Sequence, residues 1–443
     1  MKLIEELEQK LDSFDADERK AALAALCEQV RAGETELPEP GKDVNLHCHT
    51  FFSYNAYGYS PSKFAWLARK AGLAVAGVVD FDVLDALEEF HAARRMLGLK
   101  GCAGMETRVF VPEVADKTIN SPGEPGISYH MGVGFPKAKQ EGEQQEFLLS
   151  LSEMAQDRNR GLMERVNEYL DPVVLDYEED VQVLTPGGNA TERHMCSAYA
   201  RKAKELLEDD ERIAAFWSAR LGMPIDVSMV PESRELTNAI RAKTMKRGGV
   251  GYVEPDRGSF PQLAATNEFI VAAGAIPTWT WLDGTSDGES DMESLLDVAI
   301  AAGSAAINVI PDRNYTVGSR DEKLENLYTV IEVADRRNLP IVVGTEMNSP
   351  GQKFVDDFAT KELSPLVPIF LYSAHVFYGH SVLQQQCGLG YMSDWAKGNF
   401  DTTAQKNRFF ELVGKAMSPE REDDLAELDS DVDPDVVLKA AKG

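Results

Sequence analysis

Seven short apolar runs separated by segments of helical period recur along most of this chain, and that alternation is the strongest constraint on its fold. The runs span 43–49, 74–79, 101–110, 127–135, 275–281, 304–310 and 340–345; residues 62–72, 83–97, 142–169, 261–273, 291–302 and 321–337 read as helices. Strand followed by helix, repeated, is the pattern of a parallel sheet, open or closed into a barrel. The spacing therefore predicts an α/β architecture.

Around that core the composition changes. Residues 1–42 read as a helical N-terminal extension closed by the Pro/Gly-rich stretch at 36–41, the barrel as 43–360, and 361–443 as a helical C-terminal extension with an acidic tail. A helix-rich stretch of weak periodicity, about 194–260, is expected to form an insertion capping the strand ends. It closes on a glycine-rich segment that reads as a turn, since Gly248, Gly249 and Gly251 lack the strand-before, helix-after context of a phosphate loop. Asp429, Asp431 and Asp433 imitate the opening of a calcium loop, but Pro434 and Ala440 stand where that loop needs glycine and glutamate, so the tail is expected to be merely solvated.

With 73 acidic against 45 basic residues the net charge is −28, a field that disfavours nucleic acid and anionic membrane as partners; a bound cation can still invert it locally for a small anionic substrate. The five cysteines are odd in number and never in Cys-x-x-Cys spacing, which argues against disulfides and thiolate metal clusters. Neither a secretory leader nor an 18-residue apolar run is present, and a cytoplasmic location is expected.

The chemistry concentrates at strand ends. Period-two alternation from Asp43 to Thr50 places Asn45, His47 and His49 on one face and Val44, Leu46 and Cys48 on the other, so two imidazoles point the same way at the strand's C-terminal end. Parallel α/β folds place their active sites there. Such a pair is half of a divalent transition-metal site; the bland alternative is two polar residues on a half-exposed strand. Glu106 ends an apolar stretch, where a carboxylate needs solvent, a partner or a metal. His130 lies within another apolar strand and Glu346 closes a third.

These residues, in order, resemble the motifs of the polymerase and histidinol phosphatase (PHP) superfamily. The resemblance rests on His47-Cys48-His49, Val79-Asp80-Phe81-Asp82, Gly104-Met105-Glu106, His130, Arg193-His194 and Gly344-Thr345-Glu346-Met347-Asn348, over residues 43 to 355, about 70% of the chain. It implies a distorted seven-stranded (β/α) barrel, phosphoester hydrolysis as the commonest activity, and up to three ions such as Mn, Zn or Fe.

The departures carry as much information. Asn55, Phe81, Trp281 and Asn348 stand where the family usually has histidine, and Glu346 where it has aspartate. The resemblance therefore implies one complete metal position (His47, His49, Glu106, Glu346), a second that keeps Glu106 and His130 but has Trp281 for a ligand, and a third from which every imidazole is gone. One divalent ion, or at most two, is expected. The vacated space is expected to serve substrate binding through Asn55, Phe81, Trp281 and Asn348, with Arg313 as an anion contact. Asp80, Asp82, Asp283 and His194 are the candidate acid/base groups and Arg193 a candidate substrate contact. For the two aspartates beside Phe81, capping the following helix is an equal alternative. The expectation is a metal-dependent hydrolase of a small anionic substrate, a phosphoester or another ester or amide; the alternatives are a metal-dependent lyase or isomerase and a non-catalytic ligand-binding barrel. The helical extensions are candidates for dimerisation or for covering the pocket.

Overall fold

Each apolar run becomes a strand: β1 (Val44–Cys48), β2 (Val75–Phe81), β3 (Gly101–Phe110), β4 (Ile127–Val133), β5 (Ile276–Thr280), β6 (Ala306–Val309) and β7 (Ile341–Val343). The computed structural model describes residues 2–255, 258–315 and 320–443, the side chain of Tyr315 excepted. Asp256 and Arg257 of the glycine-rich segment thus lie outside the described residues. Strand order follows chain order in one seven-stranded sheet. The seam between its two ends is closed by the residues just past β7, where the Glu346 N–H donates to the His47 carbonyl and the His49 N–H to the Glu346 carbonyl, both at 2.8 Å. The result is a nearly closed, distorted barrel.

One expectation is corrected. β1, β2 and β3 pair in parallel, as do β5, β6 and β7, but β4 is antiparallel to both its neighbours. The reason is local: the link from β3 to β4, residues 111–126, holds a turn of 3-10 helix, Pro112–Val114, and no α-helix to carry a parallel crossover.

The strands are buried almost throughout, as expected where helices cover one face of a sheet and a closed interior the other. Pairing then decides which side chains share a face. Phe81 lies opposite Glu106, Glu106 opposite Met131 and Met131 opposite Thr278, a row pointing one way; Thr107, His130 and Trp279 form the adjacent row, pointing the other. Gly344 lets the chain cross β1 closely, since a β-carbon there would sit 2.5 Å from the His47 nitrogen.

Apolar packing groups the rest. The C-terminal helices Val367–Cys387 and Thr403–Ala416 share a core with β5, β6 and β7, whereas the N-terminal helix Ala16–Arg31 packs with helices Pro61–Lys70 and Leu87–Met96. A separate cluster, including buried Trp217 and Tyr199, joins residues 162 to 245. The C-terminal segment is pinned by a fully buried ion pair: the Arg94 guanidinium donates to both oxygens of Glu422 at 2.6 and 3.2 Å, and the Tyr378 hydroxyl donates to the same carboxylate at 2.6 Å. No helix among the described residues is long and apolar enough to cross a membrane.

Candidate metal centre

The end of β1 and the middle of β3 bring His47, His49 and Glu106 together inside the barrel. Glu106 Oε2 is 3.6 Å from His47 Nε2 and 3.2 Å from His49 Nε2. All three side chains are buried, and these three atoms have no hydrogen-bond partner. Buried polar atoms are rarely left unpaired, so three converging on one point mark a place built for something else. Two imidazoles and a carboxylate are the donor set of mononuclear zinc, manganese or iron sites.

The opposite edge of each ring is engaged. His49 Nδ1 lies 3.2 Å from Ser53 Oγ, whose single proton goes to Asp80 Oδ1 at 2.6 Å. Ser53 must therefore accept from His49, which places the ring proton on Nδ1 and leaves Nε2 as a free lone pair. His47 Nδ1 lies 3.1 Å from Asn308 Oδ1, an atom that only accepts, with the same consequence. Both rings are thus set in the tautomer that ligates a metal through Nε2, as partners behind metal-bound histidines usually ensure.

Electrostatics agree. Burial alone would raise the Glu106 carboxyl, but the two imidazoles outweigh it and hold it well below the usual carboxylate range; burial alone would lower His47, and Glu106 outweighs that and raises it. The site attracts positive charge, which a divalent cation would supply.

The remaining predicted residues are placed as follows. His130 does not join the cluster: it lies in the row facing away from Glu106, and its Nε2 is 2.6 Å from Asn267 Oδ1 on helix Leu263–Ala272. Glu346 is adjacent through its backbone, but its carboxylate accepts from Arg313 at 3.2 Å and from Gln352 at 3.2 Å. Asp80 points to the face opposite Phe81 and accepts from the Thr50 N–H, the Thr50 hydroxyl and Ser53, so it holds the His49 loop instead of facing the barrel interior. Asn55 holds the same loop, donating to the His49 carbonyl at 2.8 Å. His194 caps helix Glu192–Leu207, accepting from the Thr191 N–H at 3.0 Å, and burial drives its pKa down to about 3. Trp281 is buried in the apolar core, and Asp283 pairs with Lys323 at 2.8 Å.

Phe81, Asp82, Arg193, Arg313, Glu346 and Asn348 do meet, in the wall of a cavity of about 460 Å³ beside the cluster. The Phe81 ring also stacks on His49, 4.3 Å between centroids, so it stands between the imidazole and the cavity. Reading the sequence missed the cavity's basic lining: Arg108, Arg158, Arg241 and Lys246 raise the count to six cations, with Arg193 and Arg313, against Asp82, Glu192 and Glu346. A signal existed for Arg108 alone, which continues the period-two row of Glu106 along β3. The others lie on helices or turns whose local pattern says nothing of where they meet.

No family model and no curated protein sequence matches the chain. Among solved structures, an amidohydrolase from Chromobacterium violaceum, with sulfate bound and no metal, is 18% identical with a TM-score of 0.49, over 70% of this chain and 88% of that one. A candidate metal-dependent phosphoesterase from Bifidobacterium adolescentis is 17% identical with a TM-score of 0.47, over 75% of this chain and 98% of that one.

Proposed function

We propose that the protein is a metal-dependent hydrolase of a small anionic substrate, a phosphoester or another ester or amide. The observation that carries this reading is the convergence of His47 Nε2, His49 Nε2 and Glu106 Oε2, all buried and unpartnered. These three residues would hold one divalent ion, which supplies Lewis-acid activation of water or of a substrate oxygen when bound. The chain's own groups do the rest. Ser53, Asp80 and Asn308 keep both imidazoles in the ligating tautomer. Arg313, half-exposed on the cavity wall, offers a guanidinium to an anionic substrate. Asp82, raised above the usual carboxylate range by burial and hydrogen-bonded to Thr107, is the cavity-lining carboxyl nearest in sequence to the cluster and the first candidate for moving a proton.

One observation favours a second reading. The three ligands are fully buried and Phe81 covers His49 on the cavity side, an arrangement equally suited to an ion that braces a ligand-binding barrel without turnover. Metal content per chain by elemental analysis, on the wild type and on His47→Ala/His49→Ala, followed by a hydrolysis panel of phosphoesters, carboxylic esters and amides, separates the two. About one equivalent of metal, lost in the variant, together with metal-dependent turnover supports the hydrolase. Metal without turnover supports the braced barrel, and no metal after reconstitution removes both.

A further inference from the structure

Four charged side chains, Arg108, Arg158, Glu192 and Lys246, line both the 460 Å³ cavity and a neighbouring one of about 270 Å³, and so stand where the two adjoin. They come from β3, from the long helix Gly142–Leu170, from the first turn of helix Glu192–Leu207, and from the chain just past the helical turn Arg241–Met245. The guanidinium carbons of Arg108 and Arg158 lie 4.5 and 4.4 Å from the centroid of the buried Phe260 ring, which steadies both. Arg241 and Lys246 share one oxygen of Glu192, at 2.9 and 2.7 Å. Arg108 has Glu124 at 3.0 Å. Arg158 donates to the Ser259 carbonyl at 2.8 Å and, among the described residues, has no carboxylate oxygen within ion-pair distance, Asp82, Glu124 and Glu192 acting on it from further away.

Four cations thus face three carboxylates, Glu192, Glu124 and Asp82, in a chain whose net charge is −28. Crowding like charges in a partly desolvated space is unfavourable unless an anion is received there. Burial and then the neighbouring Arg108 lower Arg158 to about 10, although Asp82, Glu124 and Glu192 act in the opposite sense. Glu192 cannot relieve the crowding further, because Lys246, Arg241 and Arg108 outweigh its burial and already hold it ionised at about 2.

We propose that this junction is an anion subsite, separate from the metal centre, receiving a phosphate-sized group on Arg158, Arg241 and Lys246, with Arg108 beside them. The assignment deepens the hydrolase reading and rests on it only in linking the anion to the substrate. That substrate would carry one anionic group at the junction and present its scissile bond toward Phe81 and Glu346 at the other part of the same cavity wall.

The test is calorimetric titration of inorganic phosphate into chelator-treated wild type, His47→Ala/His49→Ala, Arg158→Gln and Lys246→Gln, with the melting temperature of each in phosphate-free buffer as the check on folding. Wild type and the histidine variant should bind phosphate saturably with equal affinity, and each cavity variant at least 10-fold more weakly. Equal affinity in both cavity variants, no saturable binding by the wild type, or weakening in the histidine variant alone each overturns the subsite. Metal content of the same proteins after reconstitution with a divalent metal keeps the two ideas apart: phosphate binding as expected in a wild type that takes up no metal supports the subsite and removes the hydrolase.

Discussion

The ring of Phe81 lies stacked on the imidazole of His49, 4.3 Å between centroids and 25° between planes. Because Phe81 also lines the cavity, one apolar side chain sets how open the metal ligands are to whatever occupies that space.

Removing it should expose the centre. Phe81→Ala should speed metal loss to a chelator at least 10-fold, followed by stopped-flow with a metal indicator. A release rate equal to that of the wild type would show that Phe81 is no barrier.

The partner behind His49 should matter almost as much as the ligand. Ser53→Ala removes the acceptor for the Nδ1 proton while leaving all three metal-facing atoms in place. Loss of such a partner typically costs about 10- to 100-fold in metal affinity, to be read by chelator competition. Unchanged affinity would mean that the tautomer is set elsewhere.

The Arg94–Glu422 pair should be the strongest single attachment of the C-terminal segment. Both side chains are fully buried, so Arg94→Ala leaves the Glu422 carboxylate with only the more distant Arg95, at 3.8 Å, as a cation partner and should destabilise the fold by about 3 kcal/mol in urea denaturation. The double variant Arg94→Met/Glu422→Leu should recover most of that loss. A single variant within about 0.5 kcal/mol of wild type, the range of ordinary surface changes, would refute the attachment.

Buried neutral histidines set the acid limit. His194, at about 3, and His380, likewise lowered by burial to about 3, bind no proton in the folded chain across much of the range in which an unfolded histidine, at 6.5, does. The unfolded state therefore takes up more protons, and stability falls as pH drops from about 6.5 toward 3, by up to about 1.4 kcal/mol per pH unit for each group. Denaturation at pH 4, 5 and 6 should give a shallower slope for His194→Gln than for wild type; parallel slopes would exclude His194 as a contributor.

Local pattern was enough to locate all seven strands, because period-two runs and turn residues are properties of neighbouring positions. It was enough, too, for His47 and His49, two positions apart at the end of one strand. It could not show that β4 runs backwards, nor that His130 turns from Glu106 while Phe81 turns toward it, because those facts depend on the register between strands tens of residues apart. The Arg313–Glu346 pair and the meeting of Arg108, Arg158, Arg241 and Lys246 lay equally beyond it. A charge on a helix surface carries no local mark of the cavity it will face. The amino-acid order by itself determined the strands and the histidine pair; the tertiary structure alone decided which distant charges share a space with them, since side-chain direction becomes a shared property only when the strands and helices pack.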